Sequence, residues 1–318
     1  MTKISVIMSA YNESQQQVDA AIQSILNQTF TDFEFLIVSD NPNNQALNQH
    51  LRSWAKRDQR IKFLPNEHNL GLAPSLNRGI KHAQSPWLAR MDADDVSQPE
   101  RFMKQIQIIQ DRHLDVLSSN ADFIDESGKI IGQHNWIPEK SQQLAQLLPY
   151  GSDLIHPSVM MKAAVIKAAG GYRLLPTAED YDLWLRLLKN GYHIGATNQK
   201  LFKYRIRTNS MTQSDRYKVF VVTQYLQKIY RQKQYPDSKT EIAELTALLN
   251  QKQVDNKTIN AAFNQAVQNL SLGKTALKSG HLFKALNLIL PALTNQDVRQ
   301  YARTSQRFNQ IYQSIKQQ

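Results

Sequence analysis

The 318-residue sequence has no cysteine. This removes disulfides, thiolate metal sites and cysteine nucleophiles together and suits a reducing compartment. Nor is there an apolar run near the roughly 18 residues that a membrane-spanning helix needs. The longest greasy stretch, Leu282 to Leu293, is interrupted by Lys284 and Asn287. Met1-Thr2-Lys3 runs straight into Ile4-Ser5-Val6-Ile7-Met8, too short a core for a secretory signal. A soluble or surface-bound protein is expected, in the cytoplasm or peripheral on the inner face of the plasma membrane. G-x-S-x-G, H-E-x-x-H and Walker patterns are also missing. The eight histidines are scattered, and His156, before Pro157, reads as structural rather than metal-ligating.

Hydrophobic residues make up 41% of the chain and charged residues 20%, which suits a folded core and not a disordered chain. The net charge of +11 is unevenly placed: from Ser214 onward 15 Lys and Arg face 6 Asp and Glu. A basic appendage on a nearly neutral body points to an anionic partner for the appendage alone. An anionic membrane surface, a phosphate-rich polymer, self-association into a homo-oligomer and a plainly solvated helical bundle all compete. Nucleic acid is disfavoured, because the basic helices have little aromatic interleaving and no binding motif.

The first half alternates strands with amphipathic helices. Ile4 to Met8, Phe33 to Val38, Ile61 to Leu64 and Trp87 to Met91 read as strands. Helical spacing covers Val18 to Leu26, Ala46 to Lys56, Leu76 to Ala83 and Pro99 to about His113. The fold expected is α/β, a mostly parallel sheet flanked by helices and followed by an all-α region. Further on, the sequence predicts a hairpin over Asp122 to Ile131, a helix over Ser141 to Leu148 and a strand over His156 to Met161. A helix over Asp180 to Leu188 and a strand over Leu201 to Arg207 follow. Residues 214–318 read as four or five helices, with breaks near Tyr235-Pro236-Asp237, Asp255-Asn256, Leu272-Gly273 and Asn295. The domain boundary is placed between residues 213 and 214.

Open α/β sheets bind ligands at the carboxyl ends of their strands. Asp92-Ala93-Asp94-Asp95 follows the fourth strand, and two carboxylates one residue apart can share a hard divalent ion while leaving positions for phosphate oxygens. The plain alternative is an acidic loop in which Asp95 or Ser97 caps the next helix. Glu179-Asp180 opens a helix, where backbone N–H groups keep a carboxylate ionised and able to act as general base. Its plain alternative is a helix cap with Asp182 as a solvated neighbour. Tyr11 could stack on a nucleobase, while Glu13 or Asp40 could accept an imide N–H; packing and turn formation are their alternatives.

In this order the segments resemble glycosyltransferase family 2, over about Lys3 to Thr212. Ser5-Val6-Ile7-Met8-Ser9-Ala10-Tyr11-Asn12-Glu13 looks like the family's first strand and nucleotide loop. Asp40 stands at its base-recognising aspartate, and Asn69-Leu70-Gly71-Leu72-Ala73 with Leu76-Asn77-Arg78-Gly79 resembles its nucleotide-closing segment. Ala89-Arg90-Met91-Asp92-Ala93-Asp94-Asp95 with Pro99, Arg101 and Gln105 resembles the D-x-D segment, and Glu179 to Trp184 the segment with the catalytic aspartate.

The resemblance implies a GT-A fold and an inverting transfer from a UDP- or dTDP-type nucleotide-diphosphate sugar. The acceptor is a saccharide, lipid-linked or polymer hydroxyl, in bacterial surface polysaccharide, wall polymer or glycoprotein glycan synthesis. It implies Asp180 as base, Asp94 as ligand of Mg²⁺ or Mn²⁺, and Asp92 on the ribose or diphosphate. Ala10, Tyr11, Glu13, Asp40, Asn69 and Ala93 complete the nucleotide-sugar site. Arg207 stands where many members have a histidine. An arginine does not ligate a cation but pairs bidentately with phosphate, so Arg207 is expected to bind the diphosphate; a surface arginine is the plain alternative. The missing histidine also admits a non-catalytic nucleotide-sugar binder or scaffold.

Overall fold

A computed structural model describes residues 3–207, 215–232 and 238–317. The expected boundary at 213/214 and the break at Tyr235-Pro236-Asp237 lie outside the described residues. The chain divides into two compact units, Met1–Leu148 with Ser152–Arg207, and Pro149–Gly151 with Thr208–Gln318.

The first unit opens with β1 (Ile4–Ala10), α1 (Gln15–Leu26), β2 (Phe33–Ser39), α2 (Gln45–Arg57), β3 (Ile61–Pro65), α3 (Leu72–His82) and β4 (Trp87–Asp92). Ser14 and Gln17 close a reciprocal capping box on α1, and the Asn44 side chain accepts from Leu47 N–H on α2, so both helix starts are encoded locally. Strands pair in parallel in the order β3-β2-β1-β4. Alternation sorts β1 between two cores. Ile4, Val6, Met8 and Ala10 pack with α1 and α2, while Ile7 packs on the opposite face with Leu76 and Ile80 of α3.

After β4 come β5 (Val96–Ser97), α4 (Arg101–Arg112), β6 (Val116–Ile124), β7 (Ile130–Gln133), α5 (Ser141–Leu147), β8 (Met160–Lys162), α6 (Ala163–Ala168), α7 (Glu179–Lys189) and β9 (Ile194–Arg205). The sheet continues β4-β8-β6-β9-β5, with β7 beside β6. Here pairing turns mixed: β8 is antiparallel to β4 and β6, and β9 is parallel to β6.

Several local expectations are corrected. The strand read over His156 to Met161 is a 3-10 turn, His156–Ser158, followed by β8. The hairpin at Ser127-Gly128 is present, but its first strand starts at Val116. Ser118, Ser119 and Asn120 hide that strand by being polar yet buried, with Ser158 Oγ bonded to Ser118 Oγ (3.1 Å) and to the Ser119 backbone. The last strand begins at Ile194, not Leu201. Pro99 lies before α4, whose cap is Glu100, with no side-chain cap bond from Asp95 or Ser97.

In the second unit, α8 (Arg216–Tyr230), α9 (Ser238–Gln251), α10 (Lys257–Lys278), α11 (Leu282–Ala292) and α12 (Gln296–Lys316) contribute to a separate core. Phe263 is its centre, 4.7 Å from the Tyr217 ring and 5.4 Å from that of Phe220. The break expected at Leu272-Gly273 does not occur; α10 runs through it and stops before Gly280, at φ +78°. Gly273 instead permits close approach of α11, since a Cβ there would lie 2.5 Å from Ile289 Cγ1. No described helix is long and apolar enough to cross a membrane.

Candidate active site

The register of the parallel strands aligns their carboxyl ends. Ser9 pairs with Asp92, Ala10 with Ser39, and Ser39 with Pro65. The segments following β1, β2, β3 and β4 therefore emerge along one edge. Ala10 and Ala93 turn their methyl groups into the core, leaving only backbone groups for a ligand. Tyr11 is 42% exposed, which leaves its ring free to stack. Its N–H donates to Glu13 Oε2 at 2.7 Å.

Asp40 is buried, with both oxygens engaged. Asn66 Nδ2 and Leu70 N–H donate to Oδ1, and Gly71 N–H to Oδ2, each at 2.8 Å. Asp40 thus fastens the β3–α3 loop across the end of β2. Exposed Asn69 accepts from Gly71 N–H at 3.1 Å through Oδ1.

Asp92, Asp94 and Asp95 each bring a carboxylate oxygen within 4.8 Å of the others. Burial, then the Asp92 charge, pushes Asp94 up to about 6 against the pull of Arg207. Burial drives Asp95 well above its ordinary value. Asp95 Oδ1 accepts from Arg205 N–H at 2.7 Å, whereas Oδ2 is buried with no partner. Clustered hard oxygens, crowded enough to resist ionisation and with one orphaned acceptor, fit a divalent cation such as Mg²⁺ or Mn²⁺.

Three arginines hold this cluster. Buried Arg90 contacts Asp92 Oδ1 through Nη2 at 2.6 Å. Arg205 donates from Nε to the Asp94 carbonyl (2.6 Å) and from Nη1 to the carbonyls of Asp125 and Glu126. Arg207 bonds Asp94 Oδ2 through Nε at 2.5 Å and reaches Glu13 Oε1 through Nη2 at 3.4 Å. It is therefore not a free surface side chain, and it joins the β1 loop to the D-x-D loop.

At the start of α7, Ala178 adopts the left-handed conformation (φ +59°) and makes no side-chain cap bond. Such strain in a non-glycine residue is characteristic of functional sites. Asp180 is half-buried, and its Oδ1 accepts from Tyr181 N–H at 2.7 Å. Contrary to the expectation from helix-start N–H groups, the net shift of Asp180 is upward: burial outweighs the Tyr181 N–H and Arg90. Burial and the Asp180 charge push Glu179 up to about 7. Arg90 pairs directly with Asp92, and its charge also favours the ionised forms of Glu179 and Asp180 against their burial.

Asp182 is not the solvated neighbour that the plain helix-cap alternative supposed. It is 1% exposed and paired with Arg186 at 2.8 Å. Arg186 also donates to the carbonyls of Ala169 (2.6 Å) and Gly171 (2.7 Å), bracing the turn before α7. Asn77 clamps Tyr172 from the other side, accepting from its N–H at 2.8 Å and donating to its carbonyl at 2.7 Å. His156 is buried against Tyr172 Oη at 2.7 Å, a structural role as expected.

The sequence marked Arg90, Asp95 and Asn77 only as members of their segments, and gave no role to them, to Arg205 or to the contact of Asn77 with Tyr172. For Arg90 a signal existed. It lies two residues before Asp92 in a strand, so both side chains leave the same face.

A sheet of this order, flanked by helices and followed by a helical region, has the GT-A-like fold of glycosyltransferases. Over 97% of its length the chain superposes on Staphylococcus aureus TarS (residues 1–349, in complex with UDP), with a TM-score of 0.60, 19% identity and 91% of that chain covered. The family model for "Glycosyl transferase family 2" matches residues 5–170, and the chain belongs to that family. An uncharacterised glycosyltransferase of Methanocaldococcus jannaschii is 34% identical over 220 residues, covering 68% of this chain and 76% of the relative. The Escherichia coli O-antigen biosynthesis glycosyltransferase WbnJ is 33% identical over 213 residues, covering 66% of this chain and 82% of the relative.

Proposed function

We propose that this chain is an inverting hexosyltransferase, moving a sugar from a UDP- or dTDP-type donor to an acceptor hydroxyl during synthesis of a bacterial surface polymer. The observation that carries this reading is the Asp92–Asp94–Asp95 cluster with its orphaned buried oxygen at the carboxyl end of β4. TarS in complex with UDP supports the donor class, and WbnJ supports a surface-polysaccharide product.

Tyr11 stacks on the base, with Glu13, Asp40 and Asn69 shaping the loops around it. Backbone groups of Ala10 and Ala93 approach the nucleotide, and Asp92 takes the ribose or diphosphate. Asp94, with Asp95 beside it, would hold Mg²⁺ or Mn²⁺, which offsets negative charge on the departing nucleoside diphosphate. Asp180 takes the proton of the acceptor hydroxyl as that oxygen forms its bond to the anomeric carbon. The bond to the diphosphate oxygen breaks on the opposite face, so configuration inverts. Arg207 exchanges its pairing with Asp94 for the diphosphate, a geometry its planar fork suits.

The test is a nucleotide-sugar panel read by mass spectrometry of the released nucleotide. Turnover is expected with one uridine or thymidine diphosphate sugar, lost in excess EDTA and in Asp94→Asn. Undiminished turnover in EDTA would overturn the metal assignment, and no turnover across the panel with acceptor extracts would overturn the enzymatic one.

A further inference from the structure

Helix α11 turns inward the small Ala285 and Ala292 together with Ile289, which meets α10 where Gly273 leaves room. Its large residues Leu282, Phe283, Leu286 and Leu290 face solvent, Phe283 at 79% exposure and Leu290 at 61%. Their spacing of one, three and four residues sets them along one side of the helix. A solvated helix keeps its large apolar side chains on the packed side, so this stripe calls for a partner.

The local charge identifies that partner. Between Asp255 and Asp297 the sequence has no acidic residue, while Lys257, Lys274, Lys278 and Lys284 fall within the interval. The last three are exposed and lie in or beside the α10–α11 turn region. A two-fold contact between copies would set this patch against itself and bring lysine towards lysine. An anionic bilayer satisfies both features: phosphate headgroups meet the lysines, and the leucines and phenylalanine enter the acyl boundary. Spanning is excluded by length, because 11 residues rise only about 16 Å against a hydrocarbon core of about 30 Å.

We propose that the α10–α11 hairpin is a membrane-docking element that lays the Leu282–Phe283–Leu286–Leu290 stripe into the interface of an anionic phospholipid bilayer. The proposal is independent of the sugar-transfer reading, and donor hydrolysis measured without vesicles on the same samples keeps the two failures distinguishable.

Flotation of the full-length chain tests it, with phosphatidylcholine vesicles and with vesicles rich in phosphatidylglycerol. The chain is expected to float with the anionic vesicles at low salt and less at high salt, and to stay behind with the neutral ones. Joint Phe283→Ser and Leu290→Ser substitution is expected to weaken binding by about tenfold or more with unchanged thermal unfolding. A Phe283→Trp variant is expected to shift its emission to the blue on adding anionic vesicles, a readout that does not depend on the double variant folding. Three results would overturn the proposal: no flotation at low salt, equal affinity for the double variant, or a full-length dimer that the double variant converts to monomer. The last would make a second copy the occupant.

Discussion

At the residue scale, the site holds more negative charge than its burial favours. Glu179 is pushed up to about 7, from an ordinary value of 4.5, by burial and by Asp180. Below the ordinary value both folded and unfolded chains carry the proton, and Glu179 has no effect on stability. Between 4.5 and 7 the unfolded state ionises first, so stability falls as pH rises; above 7 the full penalty is present. Glu179→Gln is therefore expected to raise the melting temperature by a few degrees at pH 8, with the gain shrinking towards pH 5. Calorimetric scans at the two pH values check this, and an equal gain at both would contradict it. Arg207→Ala is expected to weaken nucleoside diphosphate binding about tenfold or more while leaving nucleoside affinity unchanged, as titration calorimetry would read. The aspartates of the D-x-D segment and Glu179-Asp180 were legible because motif and order survive in the sequence. The arginines that restrain the D-x-D loop were not, because Arg90 needs the strand face to be known and Arg205 acts across 110 positions.

At the element scale, the turn before α7 depends on contacts remote in sequence. Gly171 has φ +71°, and a Cβ there would lie 2.4 Å from Asn77 Oδ1, the atom that accepts from Tyr172 N–H. Gly170, at φ +79°, has nothing within 4 Å of such a Cβ. Both alanine substitutions pay backbone strain of about 1–3 kcal/mol, but only Gly171→Ala also breaks the clamp. It is expected to be the more destabilised of the two in urea titrations and the only one that lowers turnover. Comparable losses for both would show that backbone conformation alone matters. The parallel half of the sheet was readable from apolar runs and helical spacing. The mixed half was not, since β6 carries buried serines and an asparagine, and a glycine in α10 serves helix contact rather than a break.

At the whole-molecule scale, every residue assigned to the reaction lies in the first unit, between Ala10 and Arg207, while the basic excess lies in the second. A chain truncated before Ser214 is expected to retain donor hydrolysis and lose transfer to its native acceptor. Truncation also exposes Tyr150, whose ring lies 5.9 Å from the Arg231 guanidinium and 5.7 Å from that of Arg307, so a lower melting temperature should accompany it. Loss of hydrolysis in a truncated chain that still unfolds cooperatively would mean that the helices take part in the chemistry. The composition shift after Ser214 made the helical region legible. The exposed stripe of α11 was not, because a helix apolar on more than one side does not say which side faces in.

Asp180 as the base of the transfer reaction is tested by donor affinity and turnover of Asp180→Asn beside wild type. The amide keeps the shape and the bond from Tyr181 N–H but cannot take a proton. An unchanged donor dissociation constant by calorimetry is expected, with turnover lower by about 10²-fold or more at saturating donor. A variant that loses donor binding yet keeps its saturated rate would contradict it and place the base elsewhere.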